Sequence, residues 1–157
     1  MTELDALKYL KSVLVYREGK VYFHSGKEAG YSSQGYWRLS ASCNSGRKRI
    51  KRSRFIYWLH TGALPAVVDH KDLNTLNDLF DNLRAATKLQ NCHNSTKRVG
   101  NKSGYKGVTW NKSAGKWQAQ ITCNYVYHFI GYFDKAEDAD KAVKALRLKL
   151  HGSFARN

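Results

Sequence analysis

Apolar and polar positions follow two rhythms along the chain, and each change of rhythm marks an element. In TELDALKYLKS (residues 2–12), Leu4, Leu7, Tyr9 and Leu10 recur near helical spacing behind Thr2, which predicts a short capped helix. From Leu14 to Leu39 the runs LVYREGKVYFH and GYWRLSA are short, β-like and separated by glycine-rich turns, so small hairpin strands are expected. FIYWLHTG returns to helical spacing, with Phe55, Trp58 and Leu59 on one face and a stop near Gly62. Val67 and Val68 open a further β-run, and TKLQNCHN (residues 87–94) has helical character.

NSTKRVGNKS (residues 94–103) is polar, basic and without apolar periodicity. It is the best linker candidate, dividing the chain into residues 1–94, a basic linker at 95–103 and a second domain at 104–157. Beyond it, YKGVTW, KWQAQIT and YVYHFIGYF predict three strands, joined by a turn at NKSAG and a tight turn at Cys123–Asn124. A helix should follow, with Asp134 as N-cap, Glu137 as its partner, and a stripe of Ala136, Ala139, Val143, Leu146 and Leu150 ending at Gly152. Strand alternation sets Trp117, Ala119 and Ile121 against Gln118, Gln120 and Thr122. One helix covers one face. The other would display polar side chains beside Tyr125, Tyr127 and Phe129, while Trp117 and Phe133 belong to the core.

Composition narrows the partner. With 157 residues the chain makes one domain or two small ones. A formal charge of +15 and a pI near 9.9 favour polyanions, nucleic acid ahead of an anionic membrane, because clustered Lys and Arg release counterions from phosphate backbones. No run of 18 apolar residues and no leader pattern occurs, so the expectation is a cytosolic protein without a membrane span. Cys43, Cys92 and Cys123 are isolated, which argues against a disulfide framework and a structural zinc site and makes them packing residues. Aromatic residues at 13% are enough to build a core. The run RKRIKRSR, with Arg47, Lys48, Arg49, Lys51 and Arg52, abuts the central segment and is expected to contact phosphates without reading sequence.

That central segment, VVDHKDLNTLNDLFDNLRAATKLQNCHN, concentrates carboxylates, amides and imidazoles. Phosphodiester cleavage needs a base to activate water and a cation to offset charge on the leaving oxygen; a neutral imidazole and a hard divalent ion on carboxylate and amide oxygens supply these. Asp69 and His70 are adjacent on a β-run, so one could hold metal while the other faces substrate. Asn82 lies twelve residues after His70, and Asn91 nine residues further on. Asn74, Asn77 and Asn94 read as structural. His24, His60, His128 and His151 read as packing or surface residues.

The segment resembles the HNH nuclease motif, the ββα-metal finger, in the form found in phage and intron-encoded homing endonucleases. The likeness extends over about residues 1–94, with RFIYWLHTGALP similar to the helix before the motif. It implies His70 as general base, Asp69 and Asn91 as metal ligands, and Asn82 as the residue that braces the loop and orients the imidazole. Asn in the third position implies Mg2+ or Mn2+ in preference to tightly held zinc. His93 is a rival ligand on another helix face. From Gly104 to Arg156, the motifs GYKGVTW, GKWQAQI, FIGYFDKAEDADKAVKALRLKLHG and ARN resemble the apetala-two DNA-binding domain of plant ethylene-response factors, a three-stranded antiparallel sheet on one helix. This implies DNA-facing positions at Lys106, Thr109, Gln120, Thr122, Tyr127 and Phe129, with phosphate contacts from Lys106, Lys112 and Lys116.

Together these resemblances imply an α+β chain with an amino-terminal HNH nuclease fold and a carboxy-terminal targeting module. The expected activity is metal-dependent hydrolysis of DNA phosphodiesters, nicking or cutting a specific site. The expected partner is double-stranded DNA, the state a monomer or weak homodimer, and the location a host cytoplasm if phage-encoded. The rivals are a DNA-binding regulator with an inactive HNH fold and a non-specific or RNA-directed nuclease.

Overall fold

A computed structural model describes residues 1–43, 46–93 and 100–155, without the side chains of Cys43, Cys92, His93 and Ser153. Asn94, most of the linker candidate and Arg156 therefore lie outside the described residues. The chain divides into two compact units, Met1–Thr87 and Lys88–Asn157.

The first unit begins with α1 (Glu3–Val13), capped as the sequence predicts: Thr2 Oγ1 accepts from Asp5 N at 3.2 Å and Asp5 Oδ2 accepts from Thr2 N at 3.0 Å. β1 (Leu14–Arg17) and β2 (Lys20–Phe23) form a hairpin. Its turn residues Glu18 and Gly19 both have positive φ, and a Cβ on Gly19 would lie 2.8 Å from the backbone nitrogen of Leu79. Only glycine lets that hairpin tip meet the 71–82 loop. β3 (Tyr31–Ser33), β4 (Tyr36–Cys43) and β5 (Gly46–Lys51) make an antiparallel sheet in that order. Leu39, Ala41 and Ile50 face inward, where Ala6, Leu7, Leu10, Val21, Phe55 and Ile56 complete the core.

Most of the basic run is thus strand β5. α2 (Arg52–Thr61) starts inside it and ends on Gly62, whose left-handed conformation (φ 69) lets its N–H close on Trp58 O at 2.8 Å. The deepest residues of α2 are Arg52, Ser53, Phe55 and Ile56, with Trp58 and Leu59 only partly buried. The buried face is therefore turned toward Ser53 and Ile56 relative to the expected one. β6 (Val67–His70) and β7 (Leu83–Ala86) then pair antiparallel, Asp69 opposite Arg84 and His70 opposite Leu83, closing a loop over residues 71–82.

In the second unit, α3 (Lys88–His93) packs beside a 3-10 turn at Gly152–Phe154. β8 (Val108–Asn111), β9 (Lys116–Cys123) and β10 (Val126–Phe133) form an antiparallel sheet in the order β10-β9-β8. α4 (Ala136–His151) covers one face, burying Ala136, Ala139 and Val143 against Val108 and Ala119, with Trp117 and Phe133 packed at the margin. Gly107 (φ 86) is another forced glycine, because a Cβ there would sit 2.6 Å from Gln120 O. Two expectations fail here. Lys135, not Asp134, is the N-cap of α4, and its ammonium, having no acceptor, makes no side-chain capping bond; Asp134 pairs instead with Lys116 at 3.2 Å. Tyr125 shares a two-residue turn with Asn124, both at positive φ, and is 88% exposed instead of lying on the strand.

Candidate functional site

The site loop explains most of the asparagines in the central segment. Asp72 Oδ1 accepts from Asn74 N (2.8 Å), Asn74 Oδ1 from Leu76 N (3.1 Å) and Asn77 Oδ1 from Leu79 N (3.4 Å), a series of side-chain turns that replace missing backbone partners. Asn82 closes the series. Its amide donates to Asp72 Oδ1 (2.9 Å) and Asn77 O (2.8 Å), and its oxygen accepts from Asp72 N (3.1 Å). Asn82 O also accepts from Lys71 N at 2.9 Å, next to His70. Burial opposes ionisation of Asp72, but the bonds from Asn77, Asn82 and Asn74 outweigh it and hold this carboxyl below its ordinary value of 3.8. Thr75 Oγ1 donates to Gly35 O, tying the loop to the β3–β4 turn.

Asp69 and His70 emerge from β6 with separate supports. Each is 4% exposed. Arg84 Nε donates to Asp69 Oδ2 across the ladder at 2.8 Å. His70 Nε2 lies 2.9 Å from Oδ1 of Asp78, an acid the sequence reading did not single out. Asp78 Oδ2 accepts from Arg52 Nε at 2.8 Å, Arg52 Nη1 reaches Glu28 Oε1 at 3.1 Å, and the guanidinium stacks over Trp37 at 4.4 Å. Arg52 is 2% exposed, so the expectation that it contacts phosphate is corrected: its charge is consumed by the buried Asp78 and the partly exposed Glu28. Its place two positions after the buried Ile50 sets it on the inward side of the run, whereas Arg47, Arg49 and Lys51 alternate to the other face.

The remaining basic residues divide by strand parity. Arg47, Arg49 and Lys51 share a face of β5 with Arg38, Ser40 and Ser42 of β4, their cross-strand partners. Arg47 and Arg49 are exposed, and Arg47 Nε donates to Ser40 Oγ at 2.8 Å. Lys48 lies on the other face, half-buried. Lys51 Nζ sits 3.4 Å from the Tyr36 ring centroid, and desolvation, then the nearby Arg38 charge, depress its pKa from the ordinary 10.5. The Tyr36 ring is 6.3 Å from that of His70, so this face runs up to the imidazole.

Asn91 is exposed on α3 in the second unit, and the His93 side chain lies outside the described residues. Among the described residues no group of three or more His, Cys, Asp or Glu could hold a metal ion. A carboxylate and an amide oxygen, the donor types expected of Asp69 and Asn91, are of the kind that suits an ion of the magnesium type, which keeps several waters and takes only one or two protein ligands. They do not suit a zinc site.

On the second unit's uncovered sheet face, neutral polar groups are linked in a row. Asn111 Nδ2 donates to Gln118 Oε1 (3.0 Å), Gln118 Nε2 to Gln120 Oε1 (2.6 Å), and Tyr127 OH to Gln120 Oε1 (2.7 Å). Thr109, Thr122 and Phe129 are exposed on the same face, where Phe129 meets Tyr132 edge to face at 5.1 Å. Simple alternation would point Tyr132 away from Phe129. The register shift between Phe129 and Gly131 reverses the parity, and a glycine inside FIGYF is its sequence signal. Lys112 is exposed, Lys106 is half-buried, and Lys116 carries the ion pair to Asp134.

Residues 51–93 match the family described as HNH endonuclease. The chain is 37% identical over 89 residues to Protein 3.8 of Escherichia phage T7, covering 57% of this chain and 73% of that protein. It belongs to the HNH endonuclease family. It is also 33% identical over 110 residues to the uncharacterized HNH endonuclease L560 of Acanthamoeba polyphaga mimivirus, covering 68% of this chain and 56% of that one. The chain therefore spans little more than half the length of the mimivirus relative. A solved structure described as DNA binding and cleavage by the HNH homing endonuclease I-HmuI aligns over 88% of this chain and 85% of its own, at 22% identity and a TM-score of 0.44.

Proposed function

We propose that the protein is a metal-dependent DNA endonuclease of the homing or free-standing phage type, in which the first unit cleaves and the second selects the target. The observation that carries this reading is the pair Asp69 and His70, adjacent on β6 and each gripped by its own buried or half-buried partner, within the residues matched to the family. In the reaction His70 takes a proton from the water that attacks the scissile phosphorus. Asn82 keeps the 71–82 loop closed beside it. Asp69 and Asn91 are the residues that would hold a divalent ion, Mg2+ or Mn2+. When bound, such an ion offsets charge on the departing 3′ oxygen.

The second unit would act as the apetala-two-like module. Its glutamines, threonines and tyrosine both donate and accept hydrogen bonds, which suits base edges in the major groove, with Lys106, Lys112 and Lys116 on phosphates. Arg47, Lys48, Arg49 and Lys51 would add sequence-independent affinity. With one Asp-His site per chain, one chain nicks one strand, and a double-strand break needs a second copy or a second encounter.

Supercoiled plasmid DNA with magnesium or manganese is the test, comparing the intact protein with His70→Ala. Nicked or linear product from the intact protein alone supports the nuclease. Tight binding by both without cleavage would move the reading to a DNA-binding regulator.

A further inference from the structure

The buried acid behind the imidazole sets which of its two nitrogens can act as base. Asp78 presents two oxygens with different partners: Oδ2 faces Arg52 Nε at 2.8 Å and Oδ1 faces His70 Nε2 at 2.9 Å. All three side chains are buried, at 2–3% side-chain exposure. An ionised carboxylate only accepts hydrogen bonds, so a bond to it requires a proton on Nε2. A neutral imidazole with its proton on Nε2 carries its lone pair on Nδ1. The guanidinium of Arg52 pairs with that buried carboxylate, and is itself held by Glu28 and the Trp37 ring.

We propose that Asp78, fixed by Arg52, is a positioning residue that locks His70 in the Nε2–H tautomer, making Nδ1 the atom that takes the proton from water. This rests on the nuclease reading for its catalytic meaning, but the tautomer itself is a property of the protein without substrate. As the proton arrives on Nδ1, the carboxylate stabilises the imidazolium that forms; no proton leaves Nε2.

The geometry yields an outcome that a packing role does not. In Asp78→Asn the shape is kept, but Arg52 has only donors, so the new amide must turn its oxygen toward Arg52 and its NH2 toward His70. Nε2 is then forced to accept, the proton moves to Nδ1, and the base is blocked. The near-isosteric Asn variant should therefore lose kcat by about 10³ to 10⁴-fold, the size of loss that a forced wrong tautomer causes in a Ser-His-Asp triad, with KM changed less than about threefold. Asp78→Ala, which leaves Nε2 unconstrained, should lose less.

The experiment is 15N NMR of the His70 imidazole in the full chain, with single-turnover cleavage of plasmid DNA run in parallel. The proposal expects a protonated Nε2 and an unprotonated Nδ1 in the intact protein, and the reverse in Asp78→Asn. An Nδ1–H tautomer in the intact protein, or an Asp78→Asn spectrum and kcat like those of the intact protein, would overturn it. The intact protein's spectrum decides the tautomer even if the variants fold poorly. An Nε2–H spectrum in a chain that never cuts would sink the nuclease reading and leave the tautomer assignment standing.

Discussion

Both units carry a polar network, but the two are made of opposite materials. Under His70 the members are charged side chains, Arg52 and Asp78 removed from water and the partly exposed Glu28 at their margin, tied into one arrangement. On the outer sheet of the second unit they are uncharged amides and a hydroxyl, Asn111, Gln118 and Gln120 partly exposed and Tyr127 exposed. A buried ionic row has one low-energy state, because breaking any contact strands a charge in the core. An exposed neutral row can exchange each internal bond for one to water or to a base edge at little cost. Chemistry needs the first property and recognition the second.

The largest test of this contrast is Arg52→Met. It strands the buried Asp78 and should destabilise the first unit by about 3–5 kcal/mol in chemical denaturation, whereas Gln118→Ala should cost less than about 0.5 kcal/mol. Equal costs would erase the distinction. Next, Gln120→Ala should leave folding intact but reduce discrimination between target and mismatched duplexes by about 1–3 kcal/mol in competition binding, if its amide reads a base. A smaller effect concerns acid. The Asp72 carboxyl is held below 3.8 when folded, so its contribution to stability is complete above that value and is lost as pH falls through the lower folded value. Thermal midpoints measured from pH 6 down to pH 2 should show this loss in the intact protein and a shallower one in Asn82→Ala, which lacks one of the three bonds to that carboxyl. The smallest is Lys112→Gln, which should weaken all duplexes alike and flatten the salt dependence of binding by about one unit of slope.

Much of the architecture could be read from residue spacing, because periodicity and turn chemistry are local. The Thr2 cap, the stop at Gly62, the three-strand sheet with its alternating Trp117-to-Thr122 faces, and the stripe of α4 all follow from neighbours within a few positions. What escaped reading depends on distant contacts or on a single-residue change of phase. Arg52 looks like one more cation in a basic run until Asp78, 26 positions later, is folded beside it. Asp134 was free to cap α4 in sequence terms, but Lys116 on the neighbouring strand engages it. Tyr132 reaches the outer face only through the bulge before Gly131. Of the site itself, Asp69, His70 and Asn82 were legible as a pattern, while Asp78 was one acid among several in the same stretch.

The ion row also bears on what this chain becomes under different selection. Apolar residues of similar volume at positions 52 and 78 would be expected to fold as well or better, since buried ion pairs seldom outperform good hydrophobic packing. Stability alone therefore gives no reason to keep two charges there. On the proposed nuclease reading, a descendant released from that reaction should drift toward Leu or Met at these sites and gain thermal resistance, so retention of the charges in a related chain would record continued use.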